Sequence, residues 1–171
     1  MAPGAAREVS SVSTPTTGFD VAHVPVRGGD LTLREVGSAM TAMWHRYYAA
    51  ASAVVYVVDA SDPAAAVPAL VELATLLDHA DMRGKQTLVF LNKCDAVAEA
   101  DVNDLEQAME LAALPVRVLR GSALRGDAAA ALFAWATEEV ARDALPTAPA
   151  GFWEVLRSRV DGSVEVAVGV R

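Results

Sequence analysis

The stretch "TLVFLNKCD", residues 87–95, opens on five apolar or β-branched residues and closes on Asn92, Lys93, a one-residue spacer and Asp95. A short unbroken apolar run of this kind fits a strand covered on both faces, as in the middle of a parallel sheet. A longer run, "AVVYVVDA" at residues 53–60, has the same character, and residues 116–119 make a shorter third. Alanine-rich stretches separate the three. Residues 64–78 carry Val67, Leu70, Val71, Leu73 and Leu77 at helical spacing, with Asp62 and Pro63 as cap and first position. Residues 101–111 and 127–140 read likewise. Apolar runs alternating with helices predict an α/β fold whose sheet is mostly parallel.

Working outward, residues 19–26 and 31–36 alternate as strands, and "RGGD" between them supplies the glycines of a tight antiparallel hairpin. The 171 residues, 53% of them apolar, suit one domain with a full core. The 14 Lys and Arg against 22 Asp and Glu give a net charge of −8, which disfavours nucleic acid and anionic lipid as general partners. Cys94 is the only cysteine, so an internal disulfide is impossible and a reducing, cytoplasmic setting is the simpler expectation. Residues 47–58, the longest uncharged stretch in the hydrophobic middle of the chain, fall short of the roughly 18 needed to span a bilayer. The start, Met1-Ala2, lacks the glycine of a myristoylation signal.

Ligands of open α/β sheets sit beyond the carboxyl ends of the strands. The places to inspect are therefore Asn92 to Asp95, the "RGSA" turn with Ser122 and Ala123, Gly37-Ser38 after residue 36, and "STPTTG" before Phe19. A carboxylate such as Asp95 can accept from both N1–H and the exocyclic amine of guanine, a pair that adenine does not offer. The plainer reading is that Asn92 and Asp95 cap the helix near Asp101 or form an Asx turn.

These elements, in this order, resemble the small GTPases, and "PTTGF" with Trp44 and Tyr47-Tyr48 resembles their Arf and Arf-like family over residues 14–142. Arg34-Glu35, in place of the family's usual Trp-Asp, resembles its divergent ADP-ribosylation-factor-like protein 16 subgroup. The resemblance implies that Asn92 ties neighbouring loops, Lys93 lays its stem over the guanine ring, Asp95 reads the base, and the Ser122-Ala123 backbone donates to its carbonyl oxygen. It makes Thr16 the Mg²⁺-coordinating threonine should GTP or GDP bind, although a turn hydroxyl serves there equally well. Glu35 and Gly37 belong to the second switch. Ser38 and Ala39 stand where the family has the phosphate-contacting glycine and the water-positioning glutamine, so a catalytic residue is not expected. Phe19, Trp44, Tyr47 and Tyr48 form either the family's protein-binding aromatic surface or ordinary core.

The phosphate loop G-x-x-x-x-G-K-[ST] does not occur in the 171 residues; Gly84-Lys85 lacks both the upstream glycine and the hydroxyl. Residues 1–13 read as flexible, and only these thirteen precede Thr14, where the family places a first strand and the loop. The family's first strand lies mid-sheet, so the expectation is a vacant central slot that something must fill. Residues 143–171 read as a linker followed by a β-branched strand at 163–170. Two placements stay open for that strand: the central slot, parallel to the run at 53–60 with Arg171 beside the phosphate position, or an outer edge or partner-binding tail. His23, His45 and His79 share no metal-ligand spacing. Together these features predict a non-hydrolysing Arf-like interaction module, with a GTP-binding switch as the alternative. Kinship implies a cytoplasmic setting in ciliary or Golgi-to-cilium traffic and protein partners through the switch face or the tail.

Overall fold

The run at residues 53–60 becomes a strand buried on both faces, and the sheet is organised around it. The computed structural model describes residues 18–26, 29–140 and 165–170. The strands are β1 (Phe19–Val26), β2 (Gly29–Val36), β3 (Ala51–Asp59), β4 (Gln86–Asn92), β5 (Arg117–Arg120) and β6 (Glu165–Val170). The helices are α1 (His45–Tyr48), α2 (Ala66–Asp78), α3 (Glu99–Ala108) and α4 (Ala129–Val140). The order across the sheet is β1-β2-β6-β3-β4-β5. β3, β4 and β5 are parallel, and β1 and β2 form the expected antiparallel hairpin.

Alternation along β3 explains why the whole run is apolar. Val54, Tyr56 and Val58 pack on the α2 and α3 side, with Leu73, Leu76, Val102 and Leu105. Ala53, Val55 and Val57 pack on the other side, against Phe133, Trp135 and Ala136 of α4. The packing face of α2 differs from the stripe expected. Ala66, Ala69, Leu73 and Leu76 are buried, whereas Val67 and Val71 are 66% and 57% exposed. The two alanines bring the helix axis close to the sheet, so that the Tyr56 hydroxyl donates to the Ala69 carbonyl at 2.9 Å. Burial raises the pKa of that phenol far above its ordinary value, with Glu72 and Tyr48 adding to the effect. Asp62 caps as expected, accepting from the Ala64 amide at 3.1 Å.

The strand expected at residues 163–170 does lie in the sheet centre, but it runs the other way. β6 is antiparallel to both neighbours, with Val166 opposite Val36 and Tyr56, and Val170 opposite Thr32 and Ala51. The expectation of parallel pairing is thereby corrected, while Arg171 lies outside the described residues. The strand enters at the end of the sheet where β3 finishes and leaves at the opposite end. A short connection from α4 would have forced a parallel strand; the 24 residues at 141–164 are long enough to recross the sheet. The flexible residues expected at 1–13, Thr16 and the linker at 143–164 lie outside the described residues.

Of the two readings left open for Trp44 and Tyr48, the structure shows the core one. They are 2% and 5% exposed. Trp44 meets Tyr56 edge-on at 6.2 Å and donates from Nε1 to the Gly37 carbonyl at 3.1 Å. Tyr48 is pushed up to about 12 by burial and then by Glu72. Trp44 packs by the turn Ser38–Met43 and Tyr48 meets His79 edge-on at 5.1 Å, so the surface aromatic pair is Phe19 with Tyr47.

Two outcomes follow. Oxidation of a Thr32→Cys/Val170→Cys double variant should give an internal disulfide, while Thr32→Cys/Val166→Cys should not, because the antiparallel register leaves those two about 13 Å apart along the strand; the reverse result on reducing and non-reducing gels would reverse β6. Trp44→Ala should cost about 3–5 kcal/mol in urea unfolding, whereas Phe19→Ala should stay within about 0.5 kcal/mol.

Candidate functional site

β2, β3, β4 and β5 all finish at one edge of the sheet, so the loops after Val36, Asp59, Asn92 and Arg120 gather there. β4 ends on Asn92, which is 2% exposed. Its Oδ1 accepts the Ala123 amide at 2.9 Å, and its carbonyl accepts the Ala60 amide at 2.8 Å. Asn92 therefore ties three loops together and does not cap α3; that helix begins with the Ala98 amide donating to Asp101 Oδ2 at 3.3 Å. The Gly121 amide donates to the Leu91 carbonyl at 3.0 Å, and the Cys94 amide donates to the Gly121 carbonyl at 3.2 Å. Gly121 has no alternative residue: a Cβ there would stand 2.5 Å from Cβ of Ala128 and 2.8 Å from Oδ1 of Asp127.

Lys93 takes a left-handed backbone, φ 63°, a conformation that costs a non-glycine residue about 1–3 kcal/mol and needs support around it. The support includes an ion pair, Nζ to Asp59 Oδ2 at 2.8 Å. Asp59 ends β3 at 4% exposure and also accepts from the Ser61 amide at 2.8 Å and the Ser61 hydroxyl at 2.6 Å. Burial pushes its carboxyl up, but the bonds from Lys93 and Ser61 outweigh that and hold it below its ordinary 3.8. Reading the sequence for residues that follow strands missed Asp59, since the inspection skipped the end of the run at 53–60. The signal was present, as an acid closing eight apolar or small residues.

Asp95 is half-buried beside Lys93, and its carboxylate has no hydrogen bond or ion pair among the described residues. The Ser122 amide donates to Asp127 Oδ1 at 2.8 Å, and the Ser122 hydroxyl accepts from the Arg125 amide at 3.2 Å. Both amides expected to face a guanine carbonyl, those of Ser122 and Ala123, thus have acceptors within the protein. Burial raises the Cys94 thiol, which donates to the Leu91 carbonyl at 3.2 Å; it is a packed side chain. On the switch side, Gly37 is buried, with its amide on the Gly18 carbonyl at 3.1 Å. Ser38 and Ala39 open the turn that covers Trp44, and Glu35 precedes them, half-buried on β2.

The donor set can be tested against a magnesium nucleotide. Asp95 suits the base edge of guanine. Among the described residues the phosphate side fits poorly: Asp59, Asp101, Asp104 and Asp127 lie at or near this edge, and Lys93 is already paired. The groove between the loop after β3 and α3, about 470 Å³, is lined by Ser61, Asp101 and Asp104 with apolar Ala60, Ala66 and Leu105. Such a lining repels phosphates. No cluster of three metal-ligating side chains occurs among the described residues.

An α/β sheet whose β3, β4 and β5 are parallel, with antiparallel pairings across β1, β2 and β6 and an Asn-Lys-x-Asp loop clamped to a neighbouring Ser-Ala turn, defines a small-GTPase-like fold. The chain belongs to the ADP-ribosylation factor family, which it matches over residues 5–140. It is 31% identical over 130 residues to ADP-ribosylation factor J of Dictyostelium discoideum, covering 72% of this chain and 69% of the relative. It is 26% identical over 132 residues to ADP-ribosylation factor-like protein 3 of Chlamydomonas reinhardtii, covering 74% and 75%. The Arl6 BBS3 small GTPase from Trypanosoma brucei, solved with the nucleotide analogue GppNp, superposes with a TM-score of 0.63 at 25% identity, over 78% of this chain and 85% of that one.

The Asp59–Lys93 pair gives a pH signature. A carboxyl whose folded pKa is lowered contributes stability above its unfolded value and loses it as pH falls through the folded one. Urea stability should therefore drop on going from about pH 6 to below 3.8, and Asp59→Asn should show a smaller drop. Matching acid limbs for the two proteins would mean that the pair carries no net weight.

Proposed function

We propose that this chain is a degenerate Arf-like domain that works as a non-hydrolysing protein-interaction module. The observation that carries the reading is β6 in the sheet centre, hydrogen-bonded on both sides between β2 and β3. The family's phosphate loop grows from a strand in that place, and here the place is taken by a strand of opposite direction. The rest of the site agrees. Phosphoryl transfer needs positioned positive charge and an oriented water. The sequence offers Ser38 and Ala39 where those tasks fall, an acidic edge, and a lysine held by Asp59.

Interaction is the function left to such a surface, through Phe19 and Tyr47 beside the switch turn or through the C-terminal tail, residues 143–171. The Arg34-Glu35 pair supports the ADP-ribosylation-factor-like protein 16 subgroup and, through that kinship, a cytoplasmic setting in ciliary or Golgi traffic. A second reading, a GTP-binding switch, is favoured by one observation: the half-buried Asp95 carboxylate has no partner among the described residues. On that reading Asn92, Lys93 and Asp95 hold the base, and Thr16 would meet Mg²⁺.

The purified chain, denatured and assayed for released GDP and GTP, should be empty, and added GTP with Mg²⁺ should be hydrolysed no faster than in buffer. Stoichiometric guanine nucleotide that disappears in Asp95→Ala would overturn the module in favour of the switch.

A further inference from the structure

Arg34 on β2 lies with its guanidinium carbon 5.4 Å from the centre of the Tyr47 ring. Tyr47 in turn meets Phe19 at 6.0 Å between ring centres, tilted by 47°, and Phe19 is 57% exposed. Nε of Arg34 is shielded from solvent and has no acceptor among the described residues. No carboxylate among the described residues pairs with this guanidinium, in a chain that has 22 acidic residues to offer. Residues 36–58, which include the switch turn and α1, contain no acid, and His45 and Arg46 of α1 are exposed. A guanidinium beside two aromatic rings thus stands on a protein of net charge −8.

We propose that this face docks a protein segment bearing an Asp or Glu flanked by apolar side chains, the carboxylate on Arg34 and the apolar neighbours on Phe19 and Tyr47. The inference rests on the interaction-module reading and names the partner's chemistry. A guanidinium presents planar paired donors that match a carboxylate, and stacking on Tyr47 fixes their plane before binding, so less side-chain freedom is lost. The acidic remainder of the protein repels the same segment elsewhere, which sets its position and direction. One guanidinium over the Tyr47 ring suits a peptide; an anionic membrane calls for a cluster of flexible basic residues.

A random-peptide phage library selected on the full chain tests this. The expected selected sequences carry Asp or Glu beside aliphatic or aromatic residues. The best synthetic peptide should bind about tenfold more weakly to Arg34→Gln, show an intermediate loss with Arg34→Lys, and weaken with Phe19→Ala. Circular dichroism of each variant checks the fold, and the salt dependence of binding to the unaltered chain reads the charge without any substitution. Peptides without acidic enrichment, bound equally by Arg34→Gln, would overturn the carboxylate and leave the interaction reading standing. Failure to select any peptide, or peptides indifferent to both Phe19→Ala and Tyr47→Ala, would overturn both at this face. Retention on phosphatidylserine vesicles that Arg34→Gln abolishes, with no peptide selected, would replace the peptide by a membrane.

Discussion

Two buried strand edges, those of β2 and β3, face each other across a gap one strand wide, and every backbone amide and carbonyl along them needs a partner away from water. That requirement governs the rest of the sheet. An unpaired buried polar group costs about 1–3 kcal/mol, so a row of them is incompatible with a stable fold. Glu165–Val170 meets the requirement from both sides at once. Direction matters little to this accounting, because parallel and antiparallel ladders both satisfy the backbone. Direction matters greatly to chemistry, because it decides which chain segment stands where a phosphate loop would begin.

The loops at the strand ends show how a ligand motif can carry structural duties. Asn92 joins the loops after β3, β4 and β5, and Lys93 holds the buried carboxylate of Asp59 in an otherwise costly backbone conformation. Asp95 alone among the three has no such task. Asn92 and Lys93 therefore have structural duties whether or not a base ever occupies the site.

Much of this was legible in the sequence. The β-branched runs at 53–60 and 87–91 announced buried parallel strands, and the hairpin around "RGGD" and the helices fell close to their observed bounds. Alanine misled the reading of α2: Ala66 and Ala69 define its buried face, but a search for large apolar residues selects Val67 and Val71, which face solvent. The direction of β6 was not legible, since an alternating strand reads the same both ways and only the length of the preceding connection releases it from a parallel course. Trp44 could be core or surface from its neighbours alone; the Gly37 carbonyl that receives its indole N–H decides for the core. The engagement of the Ser122 and Ala123 amides was equally hidden, because it depends on where Asp127 and Asn92 arrive in space.

The central position of β6 also sets an order of events when the protein is made. Its partners in β2 lie 130 to 138 residues earlier in the chain, Val36 with Val166 and Thr32 with Val170. Contacts of such separation close slowly, and the loop entropy is spent before any ladder bond is gained. β2 and β3 are synthesised long before the strand that joins them, so the nascent protein displays two open, apolar strand edges until β6 emerges. A fold whose middle arrives last cannot mature in step with synthesis, and it passes through an interval in which strand edges are open to whatever else can pair with them.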